Sequence, residues 1–214
     1  MGLTGGIATG KSTVSGMLRE AGLPIVDADT LVHALLEPGG LAVEPILGEF
    51  GREVQRPDGG IDRQALGTRV FADDAQRKNL EAIVHPLVVS ESQRRLHELA
   101  ESGAHDVVVY DAALLIETGR HRDFDRLVVV ACSPELQLER LIKRDGLSVD
   151  QAGARVRAQM PLSRKLALAD YVIDNSGHWQ ETRRLVSDLI ESLQDDVQML
   201  RAGRPLLRRR GAGQ

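Results

Sequence analysis

Gly5-Gly6-Ile7-Ala8-Thr9-Gly10-Lys11-Ser12, near the amino-terminal end of the 214-residue chain, decides the fold. A glycine, four residues and then Gly-Lys-Ser is the spacing of a loop that wraps a phosphate chain. Gly5 and Gly10 permit the backbone angles that turn the loop's N–H groups inward. Lys11 has the reach and charge for β- and γ-phosphates, and the Ser12 hydroxyl suits a magnesium ion. Ala8, Thr9, Gly10 and Thr13 complete the stretch that would surround a bound ATP. Met1-Gly2-Leu3-Thr4 reads as the end of a short strand, and Ser12 to Ala21 as a helix whose N-terminal partial charge lies beneath the anion. The bland alternative is a glycine-rich strand-to-helix turn carrying a chance Lys-Ser; the spacing and the placement weigh against it. The first strand is unusually short, so either it is a stub or the true start lies upstream.

Four further apolar runs follow: Leu23-Pro24-Ile25-Val26 before Asp27, Val107-Val108-Val109-Tyr110 before Asp111, Leu127 to Ala131 before Ser133, and Tyr171-Val172-Ile173 before Asp174-Asn175. Short runs without polar alternation are what strands buried on both faces look like. With the first strand they predict a P-loop NTPase fold of the α/β class: three layers, a five-stranded parallel sheet flanked by helices. Ligands bind such sheets beyond the carboxyl ends of the strands, where the loop, Asp27, Asp29, Asp111, Asp174 and Asn175 all fall.

The stretch between the second and third runs is too long for one crossover helix. Leu41 to Phe50, Arg63 to Phe71 and Ala75 to Ala100 read as helices, the last broken or bent near His85-Pro86. The expected division is a nucleotide-binding core over 1–35, 105–139 and 166–200, a helical acceptor-binding insertion over 36–104, and a lid over 140–165. The lid's first helix starts at Ser133-Pro134-Glu135 and stops at Asp145-Gly146, and a second restarts at Ser148.

Composition narrows the class. A net charge of −4 argues against general nucleic-acid affinity, and aromatics at 3% make stacking platforms an unexpected main binding mode. Residues 201–214 carry five arginines and no acid; a solvated, flexible basic tail is expected, with contact to RNA or lipid headgroups as the other reading. The single cysteine, Cys132, sits in an apolar run and reads as a buried thiol. No apolar run approaches a membrane span, and no secretory signal is recognisable, so a cytoplasmic protein without membrane partners is expected, as a monomer or small homo-oligomer.

Successive residues at a strand end alternate in direction, so one carboxylate of Asp27-Ala28-Asp29 should enter the site while the other caps a helix. Asp29 is the expected base for an acceptor hydroxyl, with Asp27 behind it or beside magnesium; the alternative is that both merely cap the helix near Thr30. Asp111 suits a magnesium-side carboxylate or, equally, a strand-end turn. Arg140 and Arg144 lie four apart on one helix face. They would either stabilise a transferring phosphoryl group or form a solvated face paired with Glu139 or Asp145. His85 would contact a substrate phosphate or simply mark a helix bend.

With these residues in view, the chain resembles the dephospho-coenzyme A kinase family. The likeness runs from Gly2 to about Gly177 and includes Asp27-Ala28-Asp29, Ile61-Asp62-Arg63, Ile83-Val84-His85-Pro86, Leu114-Leu115-Ile116-Glu117, Glu139 to Gly146 and Ala169 to Gly177. The resemblance implies transfer of the γ-phosphoryl group of ATP, with Mg2+, to the ribose 3′-hydroxyl of dephospho-CoA. It implies Lys11, Asp29 and Arg140 as catalytic residues and Asp174-Asn175 beside the nucleotide base. His85, Leu114 and Glu117 would face the acceptor. Two departures stand out: Ala8-Thr9 replaces Gly-Ser or Gly-Ala, so that Thr9 would add a hydroxyl near the phosphates, and Ala112-Ala113 occupies a place where the family usually has proline. The competing readings are a P-loop kinase of another small acceptor, such as a nucleoside monophosphate or shikimate, and a non-enzymatic nucleotide switch. The long insertion disfavours the first. The second has no use for a carboxylate placed like Asp29.

Overall fold

The computed structural model describes residues 1–207. Along the chain run β1 (Gly2–Gly5), α1 (Lys11–Glu20), β2 (Ile25–Asp27), α2 (Ala28–Leu36), α3 (Val43–Phe50), α4 (Arg63–Ala72), α5 (Asp74–Glu101), β3 (Val109–Asp111), β4 (Leu127–Ala131), α6 (Pro134–Asp145), α7 (Val149–Arg157), α8 (Leu162–Leu166), β5 (Tyr171–Asp174) and α9 (Trp179–Arg201). The chain forms two compact units, one of Met1–Ile25 with Ser102 onward, the other of Val26–Glu101.

The strands make one five-stranded parallel sheet in the order β2-β3-β1-β4-β5, flanked by helices. Register places Leu3 beside Asp111 on one side and Val128 on the other, and Ala131 beside Asp174. Every residue of β1 and β4 is buried, which is why these runs carry no polar alternation. Val14 and Leu18 from α1, with Val186, Leu189 and Leu193 from α9, close over Leu3, Val109, Val128, Val130 and Ile173. Each such branched side chain contributes roughly 1.5–3 kcal/mol on burial. Among the described residues no helix is long and apolar enough to cross a membrane.

The second unit is helical. Its α2, α3 and α4 all pack on α5, with Leu31, Leu35, Ile46, Phe50, Val84 and Val88 buried. The unit begins at Val26 and so includes α2, which packs on α5. Of the break or bend expected near His85-Pro86, the break is absent: α5 runs from Asp74 to Glu101 with Pro86 inside it. Proline in a helix interior costs about 3 kcal/mol. Here three helices packed along α5, and the buried Val84 and Val88 on either side of the proline, offset that loss.

Helices α6 and α7 begin and end as their caps dictate. Ser133 Oγ accepts from Leu136 N–H at 3.3 Å above a proline at the first turn, Gly146 closes α6 at φ 66°, and Ser148 and Gln151 form a reciprocal capping box on α7.

Below the sheet, Arg126 is almost wholly buried and donates two hydrogen bonds to Asp196 of α9, at 2.7 and 2.8 Å. Asp196 also accepts from the Tyr171 hydroxyl at 2.6 Å. Asp196 raises the Arg126 guanidinium above its ordinary pKa, against the opposing pull of burial. A third donor of Arg126 reaches the Leu207 carbonyl at 3.0 Å, and Arg201 pairs with Asp106 at 2.5 Å. The start of the expected flexible tail is therefore tied to the body through residue 207; residues 208–214 lie outside the described residues. Breaking a buried ion pair by removing one partner costs about 3–5 kcal/mol. Arg126→Met should lower the free energy of urea-induced unfolding by that amount, and a change below about 1 kcal/mol would show that the pair does not anchor α9.

Candidate phosphate-binding site

A loop that offers its N–H groups to an anion must send its carbonyls elsewhere, since buried backbone acceptors need partners. Five carbonyls of the Gly5–Gly10 loop have them. The Gly5 carbonyl accepts from Lys165 Nζ at 3.3 Å. That of Gly6 accepts from the Thr9 N–H at 3.3 Å and the Thr9 hydroxyl at 2.9 Å. The Ile7 carbonyl accepts from Gln137 Nε2 at 2.7 Å. Thr9 accepts from Asn175 Nδ2 at 2.9 Å and Arg140 at 3.4 Å, and Gly10 from the N–H groups of Thr13 and Val14. A second amide besides that of Thr9 is bonded to protein: the Ile7 N–H donates to Gln159 Oε1 at 2.7 Å.

The glycine requirement is visible at Gly10, which caps α1 at φ 89°; a Cβ there would stand 1.9 Å from Asn175 Nδ2. Ala8 also has positive φ, 59°, a conformation that costs a non-glycine residue about 1–2 kcal/mol. This is the position where the resemblance leads one to expect glycine. Thr9 is fully buried and its hydroxyl donates to the Gly6 carbonyl, a bond within the loop that the spacing alone does not indicate. Beyond Gly10, Ser12 and Thr13 are exposed in the first turn of α1, which holds no acidic side chain to compete with an anion for the helix's positive end.

Lys11 is paired with Asp111, which is buried at the carboxyl end of β3. Neither sequence reading of Asp111 foresaw this: it is the carboxylate that holds the loop's ammonium. Another lysine serves the loop from a fully buried position. Lys165 has no exposed surface; besides the Gly5 carbonyl, its ammonium reaches the Ala113 carbonyl at 3.2 Å and Glu117 at 2.7 Å. It thus joins α8 to the loop's first residue and to the segment after β3. Glu117, expected to face an acceptor, spends a carboxylate oxygen on this tie, while Leu114 is half exposed.

The two arginines of α6 part company. Arg140 turns to the loop, donating to the Thr9 and Asn175 carbonyls at 3.4 and 3.0 Å. Arg144 instead pairs with its neighbour Asp145 at 2.7 Å, and Arg155 of α7 holds the other oxygen of the same carboxylate. The adjacent acid captures Arg144 on an exposed face, so the structure does not bring it to the loop. At the end of β5 the two expected residues also separate. Asp174 accepts from the Ser176 N–H in a turn, and the buried Asn175 braces Thr9 while its Oδ1 accepts from Thr182. Burial pushes the Cys132 thiol above its ordinary pKa, with Arg140 pulling the other way, so it stays protonated at neutral pH. Gly10, Thr13, Arg140, Asn175, Gly177 and Trp179 line a cavity of about 290 Å³ beside the loop.

In the helical unit, Asp27 is the helix cap, its Oδ1 accepting from the Thr30 N–H at 3.0 Å. Asp29 is exposed in the first turn of α2, and His85 is exposed on α5. Gln137, Gln159, Lys165 and Thr182 escaped the sequence reading. Only Gln137 carried a signal, since its three-residue spacing from Arg140 places both on one face of α6.

Comparison with known proteins agrees with this geometry. Residues 1–181 match the family model for dephospho-CoA kinase. The dephospho-CoA kinase of Anaeromyxobacter dehalogenans is 48% identical over 193 residues, spanning 88% of this chain and 91% of its own. That of Symbiobacterium thermophilum is 50% identical over 186 residues, spanning 87% and 77%. Among solved structures, dephospho-CoA kinase from Campylobacter jejuni superposes with a TM-score of 0.71 at 27% identity, over 91% of this chain and 96% of that one. A Thermus thermophilus crystal structure does so at 0.72 and 33% identity, over 90% and 96%.

Lys165→Met removes the ammonium that serves two carbonyls and Glu117. Because Glu117 keeps some access to water, the loss should fall at the lower end for a broken buried pair, about 3 kcal/mol by urea unfolding. Wild-type stability in this variant would mean that Lys165 does not hold the loop's base.

Proposed function

The chain belongs to the dephospho-CoA kinase family, and on that premise we propose that it moves the γ-phosphoryl group of ATP to the ribose 3′-hydroxyl of dephospho-CoA, releasing ADP and CoA. The observation that carries this reading is the phosphate loop itself: five carbonyls paired outward, a lysine at its end, and a helix N-terminus beneath it with no acid in the first turn.

In the proposed reaction the acceptor oxygen bonds to the γ-phosphorus as the bond from that phosphorus to the bridging oxygen of ADP breaks. Lys11 neutralises charge on the β- and γ-oxygens, leaving Asp111 as it does so. Arg140, already beside the loop, has guanidinium donors to spare for the transferring group. Asp29 takes the acceptor's proton. Its support is placement: exposed, in the first turn of α2, directly after the carboxyl end of β2, while Asp27 is occupied as the cap. His85 and Leu114 remain the proposed acceptor contacts, with Glu117 acting through Lys165. Magnesium suits the donors present, because it is commonly held by one or two side chains plus substrate phosphates and water, and Ser12 offers an exposed hydroxyl at the first turn of α1. When bound it would neutralise charge on the β- and γ-phosphates. The single cysteine, buried as a free thiol, suits a reducing compartment such as the cytoplasm.

Purified protein given magnesium-ATP and separately dephospho-CoA, AMP, CMP or shikimate should release ADP and yield a phosphorylated product only with dephospho-CoA. Preferential phosphorylation of another acceptor would overturn the assignment. Asp29→Asn should lower kcat by about 10²–10⁴-fold while leaving the Kd for ATP near wild type, because a base acts on the transition state. Turnover unchanged in that variant would return Asp29 to a structural role in α2.

A further inference from the structure

We propose that Trp179 is the wall against which the purine ring of the nucleoside triphosphate packs, so that it sets affinity for the base rather than for the phosphates. This rests on the kinase reading above. Trp179 is the only tryptophan of a chain in which aromatics make up 3% of residues, and its side chain is half exposed at the start of α9. It lines the cavity of about 290 Å³ that also touches Gly10 and Thr13 of the phosphate loop and its first helical turn. That size falls at the small end for ligand pockets, about 300–1,000 Å³, and suits a heterocycle rather than a whole coenzyme.

The loop's polarity gives the cavity its occupant. Lys11 is drawn toward Asp111 of β3, on one side of β1. Arg140, Asn175 and Trp179 come from the elements after β4 and β5, on the other side. A triphosphate with its γ-end at Lys11 therefore leaves the loop past Thr13, on the side of the cavity, and carries its nucleoside there. Side-chain chemistry then favours recognition by ring faces. The Asn175 amide is buried and already bonded at each end, to the Thr9 carbonyl and the Thr182 hydroxyl, so it braces the loop from behind. The Arg183 guanidinium lies 4.8 Å from the indole centroid, covering one face of the ring. The half-exposed indole shares the cavity with Gly10 and Thr13, and stacking on an aromatic surface tolerates any purine.

The test compares two ligands on the full chain, magnesium-ATP and magnesium-tripolyphosphate, the second having no base. Because Trp179 is the sole tryptophan, its fluorescence should change when ATP binds and stay nearly constant with tripolyphosphate. Trp179→Ala should raise the Kd for ATP about tenfold or more and leave that for tripolyphosphate within about twofold, and Trp179→Phe should recover most of the loss. The inference is overturned if Trp179→Ala leaves ATP affinity unchanged, or weakens both ligands equally. Wild-type protein that binds neither ligand would overturn the phosphate-loop reading as well, which separates the two failures.

Discussion

The site depends on one constraint: a backbone segment can present N–H groups to a phosphate chain only if its carbonyls are satisfied from behind. The partners come from far along the chain, from Gln137 and Arg140 on α6, Lys165 on α8, and Asn175 after β5. Apart from the turn bonds the loop makes within itself and with α1, its shape is imposed by these side chains. Two of them, Arg140 and Asn175, also line the cavity beside it.

Charge is arranged by the same logic. Two lysines serve the carboxyl ends of β1 and β3, each with a carboxylate, but at different depths. Lys11 retains some solvent exposure and answers to Asp111, whereas Lys165 is sealed in and answers to Glu117 and two carbonyls. An ammonium with no exposed surface is tolerable only when its donors are all used. An accessible one can exchange a carboxylate for a phosphate. That difference separates the structural cation from the functional one, although both are lysines a few ångströms from the loop's ends.

Much of the fold could be read from apolar runs, because strands buried on both faces must be apolar throughout; the run Leu127–Ala131 matches β4 residue for residue. Caps were equally readable at Ser133, Gly146 and Ser148, where local hydrogen bonding decides. That α5 continues through Pro86 was not legible, because the proline penalty is local and the packing that offsets it is not. Within the site, the loop was legible from spacing alone. The separation of Arg140 from Arg144 was not, since the same i, i+4 geometry serves either a phosphate or a neighbouring aspartate. The bond of the Thr9 hydroxyl to the Gly6 carbonyl was hidden for the same reason: a side chain's direction is set by what surrounds it.

By itself, then, the amino-acid order determined the phosphate loop, the parallel sheet and the family, because glycine angles, strand burial and helix caps act over a few residues. Tertiary structure alone decided which polar groups hold the loop. The pairings of Ile7 with Gln137 and Gln159, of Gly5 with Lys165 and of Thr9 with Asn175 join positions more than a hundred residues apart. No local periodicity encodes such partners, because a hydrogen bond depends on where folding brings the two atoms and not on their distance along the chain.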